Sequence, residues 1–178
     1  SRAGGGTSTV SNNTVANLEY ASISEYSKIR GIYLNDRGGT VSGNTIRDLS
    51  LSAGSTSSGD NNALSGIYAV YTYNPNNVSI SDNTIYSLSN THESIAVETD
   101  GIYYKNTGTG CMIGRNHIYD IEHTTTNTAS AINGIRLASG TVTVANNMIS
   151  LGTGTGNALN ISGISDASSS ANTICFNS

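Results

Sequence analysis

Tryptophan is missing from the 178 residues, proline and phenylalanine occur once each, and only 11% of positions carry charge. Each shortage excludes something. Eight Lys and Arg against twelve Asp and Glu give a net charge of −4 with no basic cluster, so a nucleic-acid binder working by phosphate neutralisation is excluded. Ala, Leu, Glu and Lys do not dominate, which argues against a coiled coil or helical bundle. No apolar run approaches the ~20 residues of a membrane-spanning helix, and no membrane insertion is expected. Two cysteines, Cys111 and Cys175, are too few for a disulfide framework, and no metal-ligand spacing surrounds them. No metal or other cofactor is therefore expected.

What is abundant is small and polar: 27 Ser, 22 Asn, 21 Thr and 20 Gly make up half the chain. That profile alone would suit a disordered linker. The 18 isoleucines argue otherwise, because they fall with the valines and leucines at regular places. A phrase of the form aliphatic-x-x-Asn-x-aliphatic recurs with its asparagine at Asn13, Asn44, Asn83, Asn116 and Asn147, and in degenerate form at Asn172. The period runs from 25 to 39 residues on this count. Its aliphatic pairs are Val10 and Val15, Val41 and Ile46, Ile80 and Ile85, Ile113 and Ile118, Val144 and Ile149. Between the copies lies a second phrase ending in Gly-Ile, at Gly31, Gly66, Gly101, Gly134 and Gly163.

Two short phrases alternating in fixed order are the mark of a repeat protein. Both are β-branched and bounded by Gly, Asn and Ser, which favours strands over helices. A strand this short cannot bury its apolar side alone. Stacking successive copies about 4.8 Å apart would put Val10, Val41, Ile80, Ile113 and Val144 in one column inside a tube. The glycines suit corners where the two-residue alternation slips and both flanking aliphatics turn inward. The asparagines suit the other corner, with left-handed backbone angles and side chains bonded to one another in a row.

These phrases, among them NNTVANL, SGNTIRDL, NGIRL and ANNMISLG, resemble the right-handed parallel β-helix of the pectate-lyase-like superfamily. More narrowly, they are similar to repeats of very large secreted surface proteins of Bacteroidota-type bacteria. The resemblance implies an all-β solenoid of about five coils over residues 7–178, an extracellular or cell-surface location, and export as part of a larger protein. Residues 1–6 read as a flexible lead-in or cloning remnant, and the rest as an excerpt of a longer solenoid. A structural or adhesive role is expected, with neighbouring repeats or end-to-end copies of itself as partners. A carbohydrate-active or glycan-binding β-helix is the alternative, since the same fold hosts lyases, hydrolases and stalks alike.

An enzyme of that kind needs converging carboxylates. Half of the acids fall within residues 82–122, and the candidates are Asp82, Asp100 and Asp120 with Arg115. Stacking would set Asp82 beside Arg115 as an exposed ion pair. His92 and His123 fall in the same polar excursion on adjacent coils, where solvated loop histidines are expected. Tyr33, Tyr68 and Tyr103 share an outward column with Arg136 and Ser165, an exposed aromatic strip able to meet sugar rings or to stiffen the wall. Cys111 aligns with Val78 and Val142 and should be buried. Cys175 is placed with Arg47, Tyr86 and Tyr119 in an outward column, too far from Cys111 for a disulfide.

Overall fold

The computed structural model describes residues 7–21, 27–35, 38–52, 62–71, 77–92, 96–151 and 160–178. The expected lead-in at 1–6 and most of the polar excursions at 53–63 and 152–158 lie outside them. The described residues contain strands and no helix. Three strands make a coil: β1 (Ser8–Ser11), β2 (Thr14–Tyr20) and β3 (Ile29–Asn35) are the first. β4 (Gly39–Ser42), β5 (Thr45–Leu51) and β6 (Asn62–Tyr71) follow, then β7 (Val78–Ser81), β8 (Thr84–Asn90) and β9 (Glu98–Asn106). The fourth coil is β10 (Cys111–Gly114), β11 (His117–His123) and β12 (Ala131–Ser139), and the fifth β13 (Val142–Ala145), β14 (Met148–Ser150) and β15 (Asn160–Asp166). β16 (Thr173–Cys175) opens one more.

Like strands of successive coils pair in parallel and form three walls. The first has the order β1-β4-β7-β10-β13-β16, the second β2-β5-β8-β11-β14 and the third β3-β6-β9-β12-β15. The chain is thus a parallel β-solenoid. Aliphatic columns fill the tube, and Val41, Ile46, Leu49, Ile67, Ile80, Ile85, Ile102, Ile113, Ile118, Ile135 and Val144 are fully buried. Each such side chain contributes roughly 1.5–3 kcal/mol of transfer free energy. That is how a chain half composed of small polar residues still folds.

Three details depart from the sequence reading. The left-handed angle falls on the residue before each row asparagine, with φ from 54° to 65° at Asn12, Gly43, Asp82, Arg115, Asn146 and Phe176. The row asparagine stays outside that region because its amide N–H and side chain must both aim along the tube axis. A second left-handed column, Asn17, Asp48, Ser87 and Asp120, kinks the second wall. The Gly-Ile glycines sit within strands. A Cβ on Gly101 would lie 2.6 Å from both the Gly134 carbonyl oxygen and Cγ2 of Ile118, so close approach excludes a side chain there. The alternation does slip at this phrase, since Ile29 and Ile32, three apart, are both buried.

The sixth copy is displaced by five residues. β16 registers Thr173 with Thr143, Ile174 with Val144 and Cys175 with Ala145, so the row asparagine is Asn177 and not Asn172. The spacings become 31, 39, 33, 31 and 30 residues. Cys175 accordingly leaves the Arg47–Tyr86–Tyr119 column for the first wall. Asn172 instead accepts the Val142 amide N–H through its side-chain oxygen at 2.9 Å. A short aliphatic at Ile174 satisfied two alignments, and main-chain pairing selected the other one. Cys111 is buried in register with Val142, and the two cysteines are not joined in a disulfide.

Candidate functional site

Four groups of side chains could carry chemistry or binding. The first is the asparagine row. The main-chain N–H of Asn44 and its Nδ2 both donate to Oδ1 of Asn83, each at 3.0 Å, and Nδ2 also reaches the Val10 carbonyl at 2.9 Å. The same set recurs from Asn83 to Asn116, from Asn116 to Asn147 and from Asn147 to Asn177. Asn13 joins the near end through Asn44. Asn44, Asn83, Asn116 and Asn147 are each 1% exposed. Every amide in this row is occupied by its neighbours.

The second group is the candidate acids, which lie on different walls. Asp82 and Arg115 meet at the corner after the first wall: Nε donates to Oδ1 at 2.7 Å and Nη2 to Oδ2 at 2.8 Å. Both side chains are about half exposed, and the guanidinium holds the Asp82 carboxyl below the usual range. Asp120 stands exposed on the second wall and accepts the Ser87 hydroxyl at 2.7 Å. Asp100 is sealed in the third wall. The structure brings together Asp82 and Arg115 and leaves Asp100 and Asp120 apart from them. Among the described residues no three His, Cys, Asp or Glu side chains converge to hold a metal ion.

The third group surrounds Asp100. Its register column runs Arg30, Ser65, Asp100, Asn133 and Ser162, on the face opposite the aliphatic core. Asn133 Nδ2 donates to Asp100 Oδ1 at 2.8 Å and to Glu98 Oε1 at 3.2 Å. Asn62 Nδ2 donates to the other Asp100 oxygen, and the Asn62 oxygen accepts Arg30 at 2.7 Å and the Ser65 hydroxyl. Arg136 closes the far end on Glu98 at 2.7 Å. Asp100, Asn62 and Ser65 are fully buried. Burial first, then the Glu98 charge, pushes the Asp100 carboxyl well above the ordinary range, against the opposing pull of Asn133, Asn62 and Arg136. The sequence signal for this column was the alignment of Ser65, Asp100 and Asn133. Asn62 carried none, because it does not repeat.

Tyrosines form the fourth group. Tyr68 and Tyr103 stack with centroids 4.7 Å apart, whereas Tyr33 is tilted 54° to Tyr68 at 5.5 Å, and of the three only Tyr33 is exposed, at 56% against 5% and 3%. The Arg30 guanidinium lies 3.5 Å from the Tyr68 ring centre and occupies the surface that an outward column would leave bare. A second pair, Tyr86 and Tyr119 on the second wall, stacks at 4.8 Å with planes 3° apart. Ladder stacking turns ring faces onto each other and leaves edges outward. A sugar ring needs a face, so neither stacked pair is a flat platform.

Beside Tyr86 and Tyr119 the kinked second wall forms a shallow open groove lined by Glu19, Asp48, Ser87, Ser89, Asp120 and Glu122. Its carboxylates and hydroxyls can exchange hydrogen bonds with a polyhydroxylated ligand. His123, read as a solvated loop residue, instead ends β11 fully buried, bonded through Nε2 to the Thr99 hydroxyl. Burial pushes its imidazole down to about 4. The fold and these groups define a parallel β-solenoid whose buried polar side chains are engaged between coils. No protein-family model, curated protein or solved structure matches the chain.

Proposed function

We propose that the chain is a non-catalytic structural or adhesive segment of an extracellular, cell-surface β-solenoid protein. The observation that supports this is the state of its chemistry-bearing side chains. Asp100 is sealed between Asn62 and Asn133, and Asp82 is tied to Arg115. A lyase or hydrolase needs its acids accessible and within reach of one bond. The extracellular, bacterial setting rests on the resemblance of the repeats to those of secreted surface proteins.

The partners proposed are neighbouring repeats or a second copy. Leu18, Tyr20, Ile161 and Ile174 on the edge strands are 42–47% exposed, while Leu49, Leu51, Ile132 and Val144 beside them in register are fully buried. Another coil laid over the edges would bury them in the same way. Incubation with a panel of acidic polysaccharides tests the non-catalytic reading: no turnover is expected. Cleavage that disappears in Asp100→Ala or Asp120→Ala would overturn it.

A second reading, glycan binding, is favoured by the open groove on the second wall. Binding on a glycan array that is lost in a combined Asp120→Ala and Glu122→Ala variant would support it. An array without signal would remove it.

A further inference from the structure

We propose that the polar column on the third wall, centred on Asp100 and Glu98, is a proton-operated clamp that holds the coils together more tightly in mild acid than at neutral pH. The column joins five coils without a break. Arg30 on β3 reaches Asn62 and Ser65 on β6. Asn62 reaches Asp100 on β9, and Asn133 on β12 grips both Asp100 and Glu98. Arg136 on β12 pairs with Glu98 and continues to Ser165 on β15 at 3.3 Å.

The two carboxyl groups are placed unequally within this chain. Glu98 has a guanidinium directly against it, 2.7 Å away. Asp100, two residues along the same strand, has amides on both oxygens and a guanidinium on neither. Arg30 meets Asp100 only through Asn62, and Arg136 only through Glu98. Among the described residues, the side chains facing it are Arg30 from β3, Asn62 and Ser65 from β6, Glu98 from its own strand, and Asn133 and Arg136 from β12. The charges that act on it are Glu98, which resists its ionisation, and Arg136, which favours it. With no exposure to water, an Asp100 anion must lean on amide donors alone while a second anion shares Asn133 with it. A proton on Asp100 removes that repulsion and the cost of burying a second charge. The sign follows: a group held above its ordinary range in the fold strengthens the fold while protonated, and this gain is lost as pH rises through its folded titration point.

The clamp sits where a coil-to-coil opening would be felt first in β9 and β12. Native-state amide exchange of the whole chain carrying His123→Asn, which removes the opposing loss of stability that the buried His123 imidazole on Thr99 brings below pH 6.5, corrected for intrinsic rates and compared at pH 5 and pH 8, reads it directly. The expectation is that β9 and β12 amides are about tenfold or more better protected at pH 5 than at pH 8. The isosteric variant Asp100→Asn is expected to abolish that difference. Carbon-13 titration of the Asp100 carboxyl supplies the second measurement, with Asp100 protonated at pH 5. Glu98→Gln, which keeps the Asn133 contact, is expected to lower the Asp100 titration point and also tests the idea should Asp100→Asn fail to fold. An Asp100 carboxyl already ionised at pH 5, a titration point unmoved in Glu98→Gln, or a pH difference that persists in Asp100→Asn would each overturn the proposal.

Discussion

Two stacks of polar side chains run along this solenoid, the asparagine row at the corner after the first wall and the mixed column on the third. Both are buried and both link successive coils. The row repeats one residue, so each Asn offers its neighbour the oxygen that neighbour needs and receives the same from the other side. It carries no charge and grows by one member per coil. The column repeats a position with different residues, Arg30, Ser65, Asp100 and Asn133, and balances them through side members Asn62, Glu98 and Arg136. Identity makes the first stack indifferent to pH, and heterogeneity makes the second responsive. Buried polar groups are tolerated in a tube this narrow only when one of these solutions is in place.

Breaking the row should have the largest effect. Asn83→Asp keeps an acceptor for Asn44 but sets a second oxygen against the Val41 carbonyl and the Asn116 oxygen, where a donor stood. Urea denaturation at pH 7 is expected to show a loss of about 3–5 kcal/mol, the range for an uncompensated buried charge. Next comes His123, a buried titratable group outside both stacks. Its imidazole, ordinarily near 6.5, is held at about 4 in the fold, so the unfolded chain takes up the proton first. Stability is complete above pH 6.5 and falls as pH drops toward 4, by up to roughly 3 kcal/mol. His123→Asn, which extends Asn90 of the same register column, should remove that fall in unfolding midpoints compared at pH 7 and pH 4.5.

The opposite exchange in the column should be mild. Asp100→Asn is expected to cost clearly less than Asn83→Asp at pH 7, because losing the buried charge offsets the new amide set against a donor of Asn62 or Asn133. An equal loss in Asn83→Asp and Asp100→Asn would erase the distinction between the stacks. The smallest effect belongs to Arg115, whose pair with Asp82 is exposed and which holds φ at 56°. Arg115→Ala should leave the urea midpoint where it is, and Arg115→Gly should raise it by relieving the left-handed backbone.

The row and the aliphatic columns were legible in the sequence because they repeat: Asn13, Asn44, Asn83, Asn116 and Asn147 recur at a fixed place between Val10-type and Val15-type positions. So was the Asp82–Arg115 pair, which follows from register alone. The column was only half legible. Alignment placed Asp100 between Ser65 and Asn133, but nothing in a repeat announces that Asn62, outside the repeated phrases, reaches back to it. Tyr68 and Tyr103 were misjudged for the same reason. Alternation gives the side of a wall a residue faces, whereas burial there depends on neighbours that do not repeat, such as the Arg30 that covers Tyr68 and occurs in one coil only. Asn172 misled because Ile174 fits either alignment of the last copy, and only pairing with Val144 decides.

Side-chain amide exchange measured across pH 5 to 8 in the His123→Asn chain, where the imidazole no longer adds its own pH dependence, addresses the contrast most directly. The Nδ2 protons of Asn44, Asn83, Asn116 and Asn147 should be protected to the same degree throughout, once intrinsic rates are removed. Those of Asn62 and Asn133 should lose protection as pH rises and Asp100 gives up its proton. Row and column amides with the same pH profile, flat or falling, would contradict the account.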